Sequence, residues 1–159
     1  MGLADGHSDQ YRPLGGYLAL MAAFNGLAAA GLVAAGRSGR LPETVRASDV
    51  VLGAVATYKL SRLIAKDRVT SGFRAPFTRF QQDSGHGEVE EAARGTGLRR
   101  AVGELLVCPN CVGLWVAGAF TAGFAGAPRQ TRAVAAMLAM HAGADGLQLL
   151  HGSAGEKLG

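Results

Sequence analysis

The side chains with the clearest capacity for chemistry are two cysteines, Cys108 and Cys111, in the run Cys-Pro-Asn-Cys. Such a pair at a helix N-terminus can act in thiol redox chemistry, because the helix dipole stabilises a thiolate. It can also supply half of a zinc site, which a histidine or a second copy of the chain would complete. No strand–helix–strand pattern surrounds the pair, so the sequence favours a third interpretation, in which the two side chains pack at a helix start, either as free thiols or as a reducible disulfide.

Four ionisable residues form a second candidate group, because they lie within or beside apolar stretches. His141 and Asp145 are one helical turn apart and share a helix face, while Lys59 and Arg62 lie on an earlier segment. An ionisable group inside a membrane span is a functional candidate, so a proton or metal relay through His141 and Asp145 is one interpretation. The sequence favours the other, in which Asp145 neutralises Lys59 or Arg62 on a neighbouring helix.

Membrane helices are the elements that would hold these side chains. The sequence predicts transmembrane helices over residues 14–36, 49–65, 105–127 and 133–151. The first predicted helix has 23 residues and no charge, and at 1.5 Å per residue it covers about 34 Å, enough for the hydrocarbon core. Segment 49–65 ends in cations, so it either spans the bilayer or lies in the interface. The predicted fold class is therefore all-α, a small helical membrane bundle of four transmembrane helices, or of three spans plus one interfacial amphipathic helix.

Composition supports a membrane location over a soluble one. Charged residues make up 18% of the chain, against about 25% in soluble domains. The net charge of +4 comes from cations that flank apolar spans, so it indicates orientation in a membrane, and no nucleic-acid partner is expected. The first apolar run is longer than a signal-peptide core and follows a tail without net positive charge, so we expect a retained span, with cleavage near Ala28–Ala30 as the lesser alternative.

The segment between the second and third predicted spans is the charged part of the chain. Residues 66–102 contain seven Lys and Arg, which predicts that this loop is cytoplasmic in a multi-pass protein of the cell membrane. Within it, Gln81–Gly87 is predicted as a mobile loop and Val89–Ala93 as a short helix. Arg99 and Arg100 are expected to lie at lipid headgroups. Residues 1–13 and 152–159 are predicted as tails.

Several motifs together resemble a known family, the bacterial domain-of-unknown-function family number 1360. The motifs are Ala56-Thr57-Tyr58-Lys59-Leu60-Ser61-Arg62-Leu63-Ile64, then Asp67, then Arg74-Ala75-Pro76-Phe77, then Cys108-Pro109-Asn110-Cys111-Val112-Gly113-Leu114-Trp115. The resemblance covers about residues 50–127. It implies a small bacterial membrane protein, with some members linked to sporulation, and it brings no established activity, substrate or catalytic residue.

From these patterns we predict a non-enzymatic membrane protein without a cofactor and without catalytic residues. Its predicted partners are the lipid bilayer and either a second copy or another membrane protein, bound through faces of small residues such as Ala22, Gly26 and Ala30. The alternative prediction is a thiol-redox or metal-binding membrane protein, with zinc as the cofactor at Cys108 and Cys111.

Overall fold

The computed structural model describes residues 10–42 and 44–156. Within them the chain is mostly helical, and the elements in chain order are α1 (Leu14–Arg37), α2 (Ala47–Lys66), α3 (Ser71–Arg74), β1 (Thr78–Gly85), β2 (Glu88–Ala93), α4 (Gly97–Val107), α5 (Pro109–Gly126) and α6 (Pro128–Glu156). The two strands form an antiparallel hairpin, so the prediction of an all-α fold is wrong in the charged segment. Residues 1–9 and 157–159 of the predicted tails lie outside the described residues, and α6 continues to Glu156 where a tail was predicted from residue 152.

Two helices are long and apolar enough to cross a membrane. They are α1 and the Pro128–Ser153 part of α6. Helices α4 and α5 meet the same criterion only as a pair, with a bend of 85° at the break between them. By length and composition the described residues therefore offer two membrane spans, or three if the bent pair counts as one, and the four predicted spans are not all recovered.

The bend replaces the continuous helix that was predicted over residues 105–127. Helix α4 ends at Val107, Cys108 is extended (φ −106°, ψ 104°), and α5 begins at Pro109. A residue before proline is disfavoured in the helical region, whereas proline itself suits the first helical position, where its missing N–H has no partner to lose. Pro109 therefore both stops α4 and starts α5.

The chain divides into two compact units, and the first comprises Met1–Ala30 and Leu63–Val112. In it, α4 packs against β2. Gly103 permits this close approach, because a Cβ at that position would lie 2.5 Å from the Phe77 carbonyl oxygen and 3.0 Å from the Ala93 Cβ. Val89 on β2 and Ala101 on α4 are buried in this unit.

The hairpin corrects two predictions for the charged segment. Gln81–Gly87, predicted as a mobile loop, lies in β1 and the turn, and Val89–Ala93, predicted as a short helix, lies in β2. The turn residues His86 and Gly87 both have positive φ, as the tight turns of two-residue hairpins require. Val89 is 2% exposed and faces the unit interior, so tertiary burial outweighs the helix propensity of the Glu and Ala residues around it.

The second unit comprises Gly31–Arg62 and Gly113–Gly159. Helix α2 contacts α5 at two places, since a Cβ on Gly53 would lie 3.2 Å from Phe124 and a Cβ on Gly113 would lie 3.8 Å from Ser61 Oγ. Early α2 thus meets late α5, and the two helices run antiparallel. Ala56, Val116, Phe120, Ala135 and Leu138 form the buried apolar part of this unit.

Candidate functional site

Three of the four ionisable residues predicted within or beside spans come together in the second unit. Lys59 on α2 is 6% exposed, and its ammonium donates to Asp145 Oδ2 on α6. The other carboxylate oxygen of Asp145 lies 3.4 Å from His141 Nδ1, one turn away on the same helix. The side chains of Asp145 and His141 are 41% and 52% exposed. Lys59 is therefore buried, whereas Asp145 and His141 lie at the helix surface. The arrangement neutralises Lys59 and leaves one carboxylate shared by two partners.

A second pair joins the same two helices at their beginnings. Arg132 of α6 donates from Nε and Nη2 to the two carboxylate oxygens of Asp49 at 2.8 and 2.7 Å. This bidentate geometry is the strong form of an arginine–carboxylate contact. Arg62, the remaining predicted residue, is exposed on α2, and the structure does not place it in the contact between Lys59 and Asp145.

The structure joins Cys108 and Cys111 in a disulfide, with their Cα atoms 5.2 Å apart. The sequence left free thiols and a reducible disulfide both open, and the structure has the disulfide. The turn at Pro109 brings them together, and the Cys111 N–H donates to Cys108 Sγ at 3.2 Å. Within the described residues no group of three or more His, Cys, Asp or Glu could hold a metal ion. The redox and zinc alternatives therefore gain no support.

Among the described residues of the first unit, Arg74 forms the most extensive polar contact, and sequence reasoning missed it as a site. Its side chain is fully buried and makes six hydrogen bonds. Two go to the carboxylate of Glu91, from Nε at 3.0 Å and from Nη2 at 3.1 Å. The other acceptors are Ile64 O (2.6 Å), Asp67 O (3.0 Å), Ser71 Oγ (3.0 Å) and Thr70 Oγ1.

These contacts supply hydrogen-bond donors to backbone carbonyls at the C-terminal end of α2. The last carbonyls of a helix have no partner within the helix, and here Arg74 binds that of Ile64 while Thr70 Oγ1 donates to that of Leu63 at 2.6 Å. A cation at a helix C-terminus also interacts favourably with the helix dipole. Arg74 therefore joins α2, α3 and β2 through one side chain.

The environment of Glu91 lowers the pKa of its carboxyl group below the usual 4.5. Burial alone would raise the pKa, but hydrogen bonds from Arg74, Ser71 and Thr78 stabilise the ionised form more strongly. The Thr78 hydroxyl donates to Glu91 Oε2 at 2.7 Å. One signal in the sequence could have revealed this pair, namely the period-two alternation that puts Val89 and Glu91 on one strand face.

Comparisons with known proteins agree with the family resemblance. The chain is 35% identical over 72 residues to the "Sporulation protein YjcA" of Bacillus subtilis (strain 168), a match that covers 43% of this chain and 61% of that protein. The chain thus spans about three fifths of the length of this curated relative. No solved structure matches. The model of the family described as "Protein of unknown function (DUF1360)" matches residues 52–151, which extends the resemblance from residue 127 through most of α6. Because this match covers well over half of the chain, the protein belongs to the DUF1360 family.

Proposed function

We propose that this chain is a non-enzymatic, multi-pass membrane protein with four spans, which acts by helix–helix association in the bilayer. In this proposal the spans are α1, α2, residues 105–127 (the end of α4 together with α5) and α6, and the charged segment 66–102 is cytoplasmic. The observation that carries the proposal is the pairing of α2 with α6 at two places, at Asp49–Arg132 and at Lys59–Asp145.

The two pairs support a spanning α2 over an interfacial one. They lie ten residues apart on α2 and thirteen apart on α6, which corresponds to about 15 Å and 20 Å along the two helices. Both helices begin near the same pair, so they run side by side in the same direction. Because α6 is long and apolar enough to cross a membrane, a parallel neighbour held at two such points crosses with it.

Contacts within the first unit support the same number of crossings. Tyr17, near the start of α1, donates to Glu104 of α4, and the Tyr11 hydroxyl accepts from the Gly97 N–H at 2.9 Å. The beginning of α1 therefore lies beside the end of the charged segment. If α1 crosses the bilayer, one further crossing is needed before residue 97 to return to that side, and α2 is the helix available for it.

The distribution of cations supports the orientation. With four spans, Arg12, the seven cations of the charged segment and Lys157 share one side, against Arg37, Arg40, Arg46, Arg129 and Arg132 on the other. Cytoplasmic segments carry the excess of Lys and Arg. The alternative with three spans and an interfacial α2 leads to the same location for the charged segment.

The surface of α1 supports association as the mode of action. Of its 24 residues, the structure buries only Gly16. Ala22, Gly26 and Ala30 recur every fourth position, and nothing lies within 4 Å of a Cβ built on Gly26. Small residues at this spacing let helix backbones approach closely in lipid, where van der Waals packing drives association.

The topology can be tested by labelling a single engineered cysteine. Ser84→Cys lies on the exposed part of the hairpin, and the Cys108→Ala, Cys111→Ala background removes the native thiols. We expect a membrane-impermeant maleimide to label Ser84→Cys only after lysis of the cells. A second position, Ser38→Cys, which follows α1, should be labelled in intact cells. Labelling of Ser84→Cys without lysis would refute the orientation.

Association can be tested by energy transfer between donor-labelled and acceptor-labelled copies in liposomes. We expect transfer that falls as lipid is added and that Gly26→Ile, Ala30→Ile weakens, because bulky side chains separate the backbones. Leu27→Ile is the matched control, since Leu27 is 67% exposed on a neighbouring face of α1. A wild-type chain without transfer at every lipid ratio would exclude self-association and leave a different membrane protein as the partner.

The name of the Bacillus subtilis relative adds a proposed setting, which is a membrane process in sporulation. A fluorescent fusion of this chain in sporulating Bacillus subtilis should redistribute among the membranes of the cell after sporulation begins. An unchanged distribution throughout would argue against that setting, without bearing on the topology.

A further inference from the structure

Two arginine side chains of the first unit converge on one backbone oxygen. Arg94 donates from Nε to the Pro76 carbonyl oxygen at 3.2 Å. Arg99 donates to the same oxygen from Nε at 2.9 Å and from Nη2 at 2.6 Å. Each guanidinium carries five N–H donors, and the structure gives the remaining donors of both groups no acceptor among residues 10–42 and 44–156.

The two positive charges meet without a negative one. The Pro76 carbonyl is neutral, and the two guanidinium groups that share it carry like charges, which repel each other. Four carboxylates of the unit already pair with other cations, in Asp83–Arg68, Glu90–Lys66, Glu91–Arg74 and Glu104–Arg100. In the described part of the chain no carboxylate pairs with Arg94 or Arg99, so an anion from outside the chain would relieve the repulsion.

The backbone holds Arg99 in place for this role. Gly95 has a φ of +84°, and a Cβ there would lie 3.0 Å from Arg99 Cδ. Glycine at position 95 thus permits the turn and leaves room for the arginine stem across it. The two hydrogen bonds to Pro76 then fix the plane of the guanidinium, which reduces the entropy that a bound ligand would otherwise cost.

A third arginine extends the positive surface. Arg79 pairs with Ala92 across the hairpin, and the Arg94 N–H donates to the Phe77 carbonyl. Arg79 and Arg94 are therefore diagonal neighbours on one hairpin face, at about 7–8 Å between backbones. Arg79 is exposed, and no described carboxylate forms an ion pair with it.

We propose that Arg94 and Arg99, with Arg79 beside them, form a binding site for a phosphate group. Guanidinium forks match phosphate oxygens in pairs, and arginine recurs where proteins recognise phosphate. The phosphate can belong to an anionic lipid headgroup or to a soluble phosphate compound. The sequence predicts both Arg99 and Arg100 at lipid headgroups. Of the two, only Arg99 belongs to the proposed site, because Arg100 is bound to Glu104 and lies over the Tyr11 ring. It goes beyond helix association, which involves none of these residues.

Titration calorimetry on the purified full chain in a non-ionic detergent tests the proposal. The probes are inorganic phosphate, dioctanoyl phosphatidylglycerol and the zwitterionic dioctanoyl phosphatidylcholine. We expect binding of phosphatidylglycerol that weakens with added salt. Binding of phosphatidylglycerol without binding of inorganic phosphate identifies a lipid headgroup as the source, and comparable binding of both identifies a soluble phosphate compound. Either result supports the site.

Variants decide whether the proposed residues are responsible. Arg94→Gln, Arg99→Gln should weaken binding by about ten-fold or more, since charged hydrogen bonds are lost. Arg68→Gln is the control. It removes one positive charge from the same unit, as Arg99→Gln does, but Arg68 pairs with Asp83, so the affinity should stay unchanged. Arg79→Gln, which lacks the Pro76 contact, should weaken binding about two- to three-fold even if the double variant misfolds. No binding of either anionic probe by the wild type, or equal losses for Arg68→Gln and Arg79→Gln, would overturn the proposal.

Discussion

Arg74 in the first unit and Lys59 in the second are both nearly inaccessible cations, yet their surroundings differ. Arg74 makes six hydrogen bonds, and its carboxylate partner Glu91 is 4% exposed at the side chain. Lys59 is given one described partner, Asp145, whose side chain is 41% exposed and also approaches His141. An ammonium has three donors, so the hydrogen bonding of Lys59 is less complete than that of Arg74.

The difference shows two ways in which a sequence can accommodate a buried charge. In the first unit, backbone carbonyls, hydroxyls and a carboxylate all point at one guanidinium, which makes it a structural junction. In the second unit one carboxylate on α6 neutralises an ammonium on α2, and displacement of either partner would leave the other charge without it. Four predictions would break or sharpen this contrast, in order of decreasing expected effect.

The largest effect is expected from Arg74→Met. Removing one partner of a buried ion pair costs about 3–5 kcal/mol, because the other charge stays buried without a partner. We expect loss of hydrogen-exchange protection in β2 and a large drop in the free energy of unfolding. Arg68→Met is the control, since Arg68 and Asp83 are both about 60% exposed, and it should cost less than about 1 kcal/mol. Similar losses for both variants would remove the special role of Arg74.

A smaller effect is expected for the pair in the second unit. Lys59→Met and Asp145→Leu should each lower the free energy of unfolding by about 1–3 kcal/mol, because each leaves a charged group with a lost partner. The double variant should recover much of that loss, since no charge is then left alone. Denaturation in detergent measures all three chains. Strictly additive losses would show that the two residues are not energetically coupled.

Acidification should affect the first unit through Glu91. Its pKa is below the usual 4.5 in the folded chain, so the folded state holds fewer protons than the unfolded state and ionised Glu91 contributes stability. That contribution is complete above the usual pKa and is lost as the pH falls through the lower, folded value. Melting of the hairpin followed against pH should show the loss, and Glu91→Gln should flatten it. A Glu91→Gln chain with the same acid dependence would assign it to other carboxylates.

The smallest effect is expected for the double variant Cys108→Ala, Cys111→Ala. The disulfide closes a very short loop, so its removal should cost at most about 2 kcal/mol, and the protein should stay folded and abundant in membranes. Mass spectrometry after rapid alkylation in cells adds a test of orientation. A cytoplasmic charged segment predicts reduced thiols in the cell and the disulfide after purification in air. A pair that is fully oxidised in the cell would place this turn on the opposite side.

Much of the helical architecture could be predicted from the sequence, because its signals are local. A run of 23 uncharged residues has few alternatives to a helix of membrane length, and α1 covers Leu14–Arg37. The segment predicted over residues 49–65 lies within α2, Ala47–Lys66. The spacing of His141 and Asp145 placed both on one helix face, and the structure brings them within 3.4 Å. The motifs around Lys59 and Cys108 also sufficed for family membership, which the family match confirms.

Other features depended on contacts between distant residues, and only the tertiary structure decided them. Val89–Ala93 contains residues that favour helix, yet it forms a strand because Val89 and Glu91 find their partners in a buried interior. Pro109 indicated a helix break at Cys108, but the residues on both sides of it are largely apolar, which favoured one continuous span. Nothing local distinguishes Arg74, which is fully buried, from Arg94 and Arg99, which share one carbonyl. All three are arginines in one charged segment, and what separates them is which carboxylates the fold brings within reach.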